Sequence, residues 1–210
     1  VSIVPPAPPP GYSFPLRGYL GHGEVPPVDK LLAKINDLNS KQEPVAQVSS
    51  AQMDSVEALL QTLSATSMYH SSTIKLAQLS VPIHICDKWA TKDVYPGFDL
   101  LRLVCLHPGG AAVLGASSSS GAIITKALAL LEGGQSFTAT PDATRLTCLK
   151  FLNNAFKSDE MRASLYLHGA NGSTGHSALQ RILGICQTQA SSAAGMSKSM
   201  RSTRAYSSEI

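Results

Sequence analysis

Apolar positions along this chain recur at three- and four-residue intervals, and no alternating-polarity run persists long enough to propose a sheet. Leu31, Leu32, Ile35 and Leu38 form an i, i+1, i+4, i+7 stripe behind Pro26 and Pro27, residues that suit a helix start. Ser49 or Ser50 is placed to cap a second helix whose apolar face is Met53, Val56, Leu59, Leu60 and Leu63. A third segment is expected from near Ser72, carrying Ile74, Leu76, Leu79, Ile83 and Trp89. Pro82 removes a hydrogen bond within it and is expected to kink or split it. The fourth helix opens at Pro96 and is apolar almost all round through Phe98, Leu100, Leu101, Leu103, Val104, Cys105 and Leu106, the pattern of a helix buried between others. His107-Pro108-Gly109-Gly110 then reads as its abrupt end, with His107 as a cap favoured by the C-terminal dipole.

Residues 117–120 are four serines, read as a loop before an apolar helix at 123–131 that Gly133-Gly134 closes. Asp142 opens a long helix with Leu146, Leu149, Leu152 and Phe156 on one face, and shorter helices follow at 159–168 and 177–189. Roughly eight helices joined by short loops predict an all-α, armadillo-like solenoid of stacked helix pairs. A compact bundle is the structural alternative. The fully apolar fourth helix and the absence of a catalytic-looking loop favour the solenoid.

Composition changes the picture mainly at the two ends. Residues 1–26 are a proline-rich linker, with residues 5–10 expected as extended polyproline. Within it Pro9, Pro10 and Tyr12 fit the pattern that WW domains bind, although a linker carrying a tyrosine has the same pattern. Residues 27–192 form the helical domain, and residues 193–210, Ser-rich with Lys198, Arg201 and Arg204, are expected to be disordered. A net charge of +3 with no basic stripe gives no case for nucleic acid. No apolar run approaches the roughly 18 residues of a membrane span, and no signal peptide is visible. Cys86, Cys105, Cys148 and Cys186 lie far apart in apolar segments, as buried thiols do in a reducing compartment, and none forms a CxxC pair. Neither a metal nor another cofactor is expected, and the chain reads as cytoplasmic or nuclear.

Three segments, in order, resemble the PUL domain of the phospholipase-activating protein (PLAA) family. Lys34-Ile35-Asn36-Asp37-Leu38-Asn39 is similar to the family's Lys-Leu-x-x-Leu-Asn. Pro96-Gly97-Phe98-Asp99-Leu100-Leu101-Arg102-Leu103 followed by His107-Pro108 resembles Pro-x-Leu-Asp-Ile-Leu-Arg-Leu and a later His-Pro. Leu149-Lys150-Phe151-Leu152-Asn153-Asn154-Ala155-Phe156 resembles a Leu-Arg-x-x-x-Asn-x-Phe helix, with Lys150 in the place of arginine. Phe14-Pro15 and Tyr19 resemble the stretch before the domain in PLAA-like proteins. The likeness covers roughly residues 14–190, and the family's last helices are missing behind the Ser-rich tail. It implies an armadillo-like module whose basic groove takes the C-terminal tail of the AAA+ ATPase valosin-containing protein. Ubiquitin pathway proteins would be engaged through upstream domains.

An armadillo-type groove holds an extended peptide with asparagine amides on its backbone and cations on its acidic groups. Lys150, Asn154 and Lys157 share one face of their helix, opposite much of its apolar stripe, and with Asn153 are candidate groove residues. A plain solvated face has the same spacing. Arg102 lies in the most apolar helix with Asp99 three residues earlier, which makes it either a structural ion pair or an arginine that Asp99 orients into the groove. Trp89, beside Lys88, is expected as a core anchor. Gly169-Ala170-Asn171-Gly172-Ser173-Thr174-Gly175 lacks the Gly-Lys-Ser/Thr ending of a phosphate loop, and no GxSxG elbow occurs. The chain is therefore read as a binding module and not as an enzyme. A generic helical scaffold with another partner, or an adaptor recruited by a WW domain, is the alternative.

Overall fold

α1 (Val28–Asn39) follows Pro27 and buries Leu31, Ile35 and Leu38, leaving Leu32 half-buried at the edge of its stripe. It ends on a clamp: the Asn39 amide donates to the Val48 carbonyl at 2.8 Å and accepts from the Val48 N–H at 2.7 Å. α2 (Ser50–Ser64) begins with a capping box, in which Ser49 Oγ accepts from Gln52 N–H and Gln52 Oε1 accepts from Ser49 N–H. The computed structural model describes residues 21–132, 140–168 and 178–191, so the WW-type motif, the glycine-rich loop at 169–175 and the basic tail lie outside the described residues.

α3 (Leu76–Lys88) starts later than expected and runs through Pro82 as one helix. Pro82 cannot donate to the Gln78 carbonyl, yet the helix continues past it with Pro82 itself buried. Trp89 caps the end, 2% exposed, and its indole N–H donates to the Ala46 carbonyl at 3.0 Å. α4 (Tyr95–Val104) is buried on nearly every side.

α5 (Pro108–Ala116) is a helix where the sequence pattern suggested only a terminator. Pro108 occupies its first turn, where no intrahelical donor is needed. His107 caps this new helix and not the end of α4: its Nδ1 accepts from the Gly110 N–H at 3.0 Å, while Nε2 is 2.9 Å from Ser72 Oγ. A dipole-stabilised imidazolium is thereby replaced by a neutral, buried ring, and burial pushes its pKa down. Gly110 is required by close packing, because a Cβ there would stand 2.9 Å from both Ile74 Cδ1 and the Val104 carbonyl.

α6 (Ser120–Glu132), α7 (Asp142–Ala155), α8 (Asp159–His168) and α9 (Ala178–Ser191) complete nine α-helices among the described residues, with short 3-10 turns at Pro44–Ala46 and Thr66–Met68. Ser120 is the first residue of α6, not loop, and its Oγ bonds the Gly115 carbonyl and Ser164 Oγ. Beyond sequential neighbours, α3 packs on α6, α4 on α7, α5 on α8 and α6 on α9. From α3 onward each helix thus meets the one three places later. That period defines a three-helix repeat and makes the fold an armadillo-like solenoid.

The densest of these contacts joins α4 to α7, with the rings of Phe98 and Phe151 5.7 Å apart. They belong to a core that extends from Leu59 to Ile185, while a smaller cluster of Leu31, Ile35, Val56, Leu60, Ile85, Trp89 and Leu100 holds α1 and α2 to the first repeat, α3 to α5. No single helix among the described residues is long and apolar enough to cross a membrane. α4 and α5 pass such a test only as a pair, and they are bent by 117°.

Candidate peptide-binding site

The end of α4 determines the chemistry of the α4–α7 seam. Its last turn tightens, so the Leu106 N–H bonds the Leu103 carbonyl and the His107 N–H bonds that of Val104. The Arg102 carbonyl is taken from outside the helix, by Asn154 Nδ2 on α7 at 2.8 Å. Asn154 is fully buried, and it also donates to the His22 carbonyl at 3.0 Å and accepts from the His22 N–H at 2.9 Å. One amide therefore joins α7, the end of α4 and the backbone of an extended segment, residues 21–27, that runs in ahead of α1.

Arg102 completes the clasp. It is 4% exposed, and its guanidinium reaches three acceptors: Nε to Asp99 Oδ1 at 2.6 Å, Nη1 to the His22 carbonyl at 2.7 Å and Nη2 to the Glu24 carbonyl at 2.7 Å. Asp99 neutralises and orients the planar fork, which leaves its outer donors aimed at main chain. The stretch assigned to the linker up to residue 26 therefore supplies residues 21–26 to the packed structure.

The structure brings Arg102, Asp99 and Asn154 together around this segment. Asn153 is buried on α7 at 3% exposure. Lys150 is half-buried and near enough to His22 to bear on its ionisation, and Lys157 is exposed just past the end of α7. The lysine–asparagine face is thus not a plain solvated surface: Asn154 lies inside, Lys150 is half-buried and Lys157 is exposed. His22 has its pKa lowered, first by burial and then by Lys150, with Arg102 adding to the effect and Glu24 opposing it. Sequence reasoning missed His22 and Glu24 because they contribute carbonyls and an N–H, groups that every residue carries.

Elsewhere the chemistry is sparse. Cys86, Cys105 and Cys148 are free, buried thiols, and burial pushes all three upward in pKa. Among the described residues no group of three or more His, Cys, Asp and Glu could hold a metal ion. A cavity of about 570 Å³ opens between α3, the α5–α6 turn and α6, lined by Leu76, Ile83 and Ile123 together with Ser80, His84 and Lys126. The Lys126 ammonium is already committed to the Asp87 carbonyl at 2.9 Å.

A three-helix-repeat solenoid is an architecture that protein-interaction modules use. The family model of the PUL domain matches residues 14–205, and the chain belongs to that family. No curated protein matches the chain.

Proposed function

We propose that this PUL domain binds the C-terminal tail of a valosin-containing-protein-type AAA+ ATPase, as an adaptor of the PLAA kind in ubiquitin-dependent protein turnover in the cytoplasm and nucleus. The observation that carries the reading is the clasp of Arg102 and Asn154, which holds an extended backbone by its N–H and C=O groups. Family membership supports a protein partner. Charge supports the same reading: Lys150 lies at the clasp and Lys157 at the end of its helix, so an acidic peptide would meet cations there.

The test is a fluorescence titration of a labelled peptide copying the ATPase tail into the 210-residue chain. Saturable binding is expected, weakening as salt rises and by roughly two- to five-fold in Lys150→Ala and in Lys157→Ala. Absence of binding by the folded chain, both as wild type and with its residues 21–27 loosened by His22→Ala, refutes the proposal. Binding that both lysine variants retain in full moves the site away from α7.

A further inference from the structure

The clasp touches only main chain on the segment it holds. Asn154 binds the His22 N–H and C=O, and Arg102 binds the carbonyls of His22 and Glu24, so any extended peptide in that register could make the same bonds. The segment's own side-chain anchors are few. His22 is 5% exposed and Val25 packs against the core, whereas Gly21, Gly23, Glu24 and Pro27 are exposed. Gly21 and Gly23 also surrender the most conformational freedom on ordering, which favours release. Glu24 gives the segment one carboxylate, within electrostatic range of His22, as Lys150 is from α7.

We infer that residues 21–27 are an internal stand-in for an extended acidic peptide, which must displace them to reach Arg102 and Asn154. The inference rests on the peptide-binding reading above. Apparent affinity is then the intrinsic affinity reduced by the fraction of molecules with the segment released. Tightening the segment weakens peptide binding, and loosening it strengthens binding.

Gly23 provides the tightening substitution. Its backbone does not need glycine, and a Cβ would rest 3.4 Å from Leu106 Cδ1, an ordinary contact. Gly23→Ala removes freedom only from the released segment, and the peptide's apparent Kd should rise by about two- to five-fold. His22→Ala removes the main buried anchor and should lower it. The experiment titrates the labelled ATPase-tail peptide into the full chain and both variants, and follows hydrogen exchange at the His22 amide with and without saturating peptide. Opposite shifts in the two variants, with loss of His22 protection on binding, are the expected result, and binding detectable only in His22→Ala supports it equally. Equal affinity in all three with His22 still protected overturns the inference, places the peptide elsewhere and leaves the functional proposal standing. No binding by either wild type or His22→Ala sinks both.

Discussion

Replacing Asn154 by alanine tests the seam on which both fold and site depend. The substitution removes one acceptor from the His22 N–H and two donors, from the His22 and Arg102 carbonyls. The His22 carbonyl keeps Arg102 Nη1 at 2.7 Å. The Arg102 carbonyl is fixed in the last turn of α4 and cannot move to water, so it bears the full loss. A buried polar group deprived of its partner costs about 1–3 kcal/mol, and release of the His22 segment to solvent limits its share, so a total of about 2–4 kcal/mol is expected. Trp89 is the only tryptophan in the chain and is 2% exposed, so its emission reports urea unfolding directly. With a slope near 2 kcal/mol per M, the midpoint should fall by about 1–2 M. Asn154→Asp retains the acceptor and loses both donors, so it should be no more stable than the alanine variant. Lys157→Ala, on an exposed side chain, should stay within about 0.5 kcal/mol of wild type. If Asn154→Ala behaves like Lys157→Ala, or the aspartate variant recovers most of the stability, the amide is not what joins the two helices.

Two further predictions concern the first repeat. A Cβ at Gly97 would come within 2.8 Å of Cys86 Sγ and of Ile85 Cγ2, so Gly97→Ala should force α3 and α4 apart at a cost of about 1–3 kcal/mol, read as a lower urea midpoint; an unchanged midpoint would show that the helices can separate freely. His107 has a lowered pKa in the folded chain, so the unfolded chain binds more protons as acidity rises: stability should be complete above pH 6.5 or so and should fall as pH drops from there through the folded pKa. His107→Asn keeps a capping acceptor without titrating and should flatten that fall in thermal midpoint, whereas an undiminished slope would assign the acid sensitivity to other groups, His22 first among them.

Helices with their own periodicity and punctuation were legible in the chain. A serine cap for α2 at Ser49 or Ser50, the stripe of α1 and the span of α8 could all be placed from residue types, because local rules dictate them. α5 was not legible, since Pro108-Gly109-Gly110 carries two signals at once. Proline there is a first-turn residue, and Gly110 is small because Ile74 and the Val104 carbonyl leave no room, which is a tertiary fact. Pro82 was read as a kink or a split, and α3 is not split there. At the site, Asp99 beside Arg102 was readable from an i, i+3 spacing. What Arg102 and Asn154 hold was not, because main-chain acceptors leave no trace in residue identity.

That same fact governs how the site should be dissected. Arg102 and Asn154 stabilise the fold through the groups that would hold a peptide, so a loss of binding in Arg102→Ala has two possible origins. The three-helix period forces this overlap: it lays α7 along α4, and the carbonyl left over at the end of α4 takes its donor from the amide that also holds His22. Stability and affinity are therefore coupled at the clasp and separable at its rim. Lys157 is exposed and can alter affinity with little effect on the urea midpoint, whereas the clasp residues must move both. A variant set in which Arg102→Ala abolishes binding at full stability would mean that the His22 and Glu24 carbonyls find water as good a partner as the guanidinium, and that the segment is held by the Asn154 bonds to His22 and by the His22 and Val25 side chains.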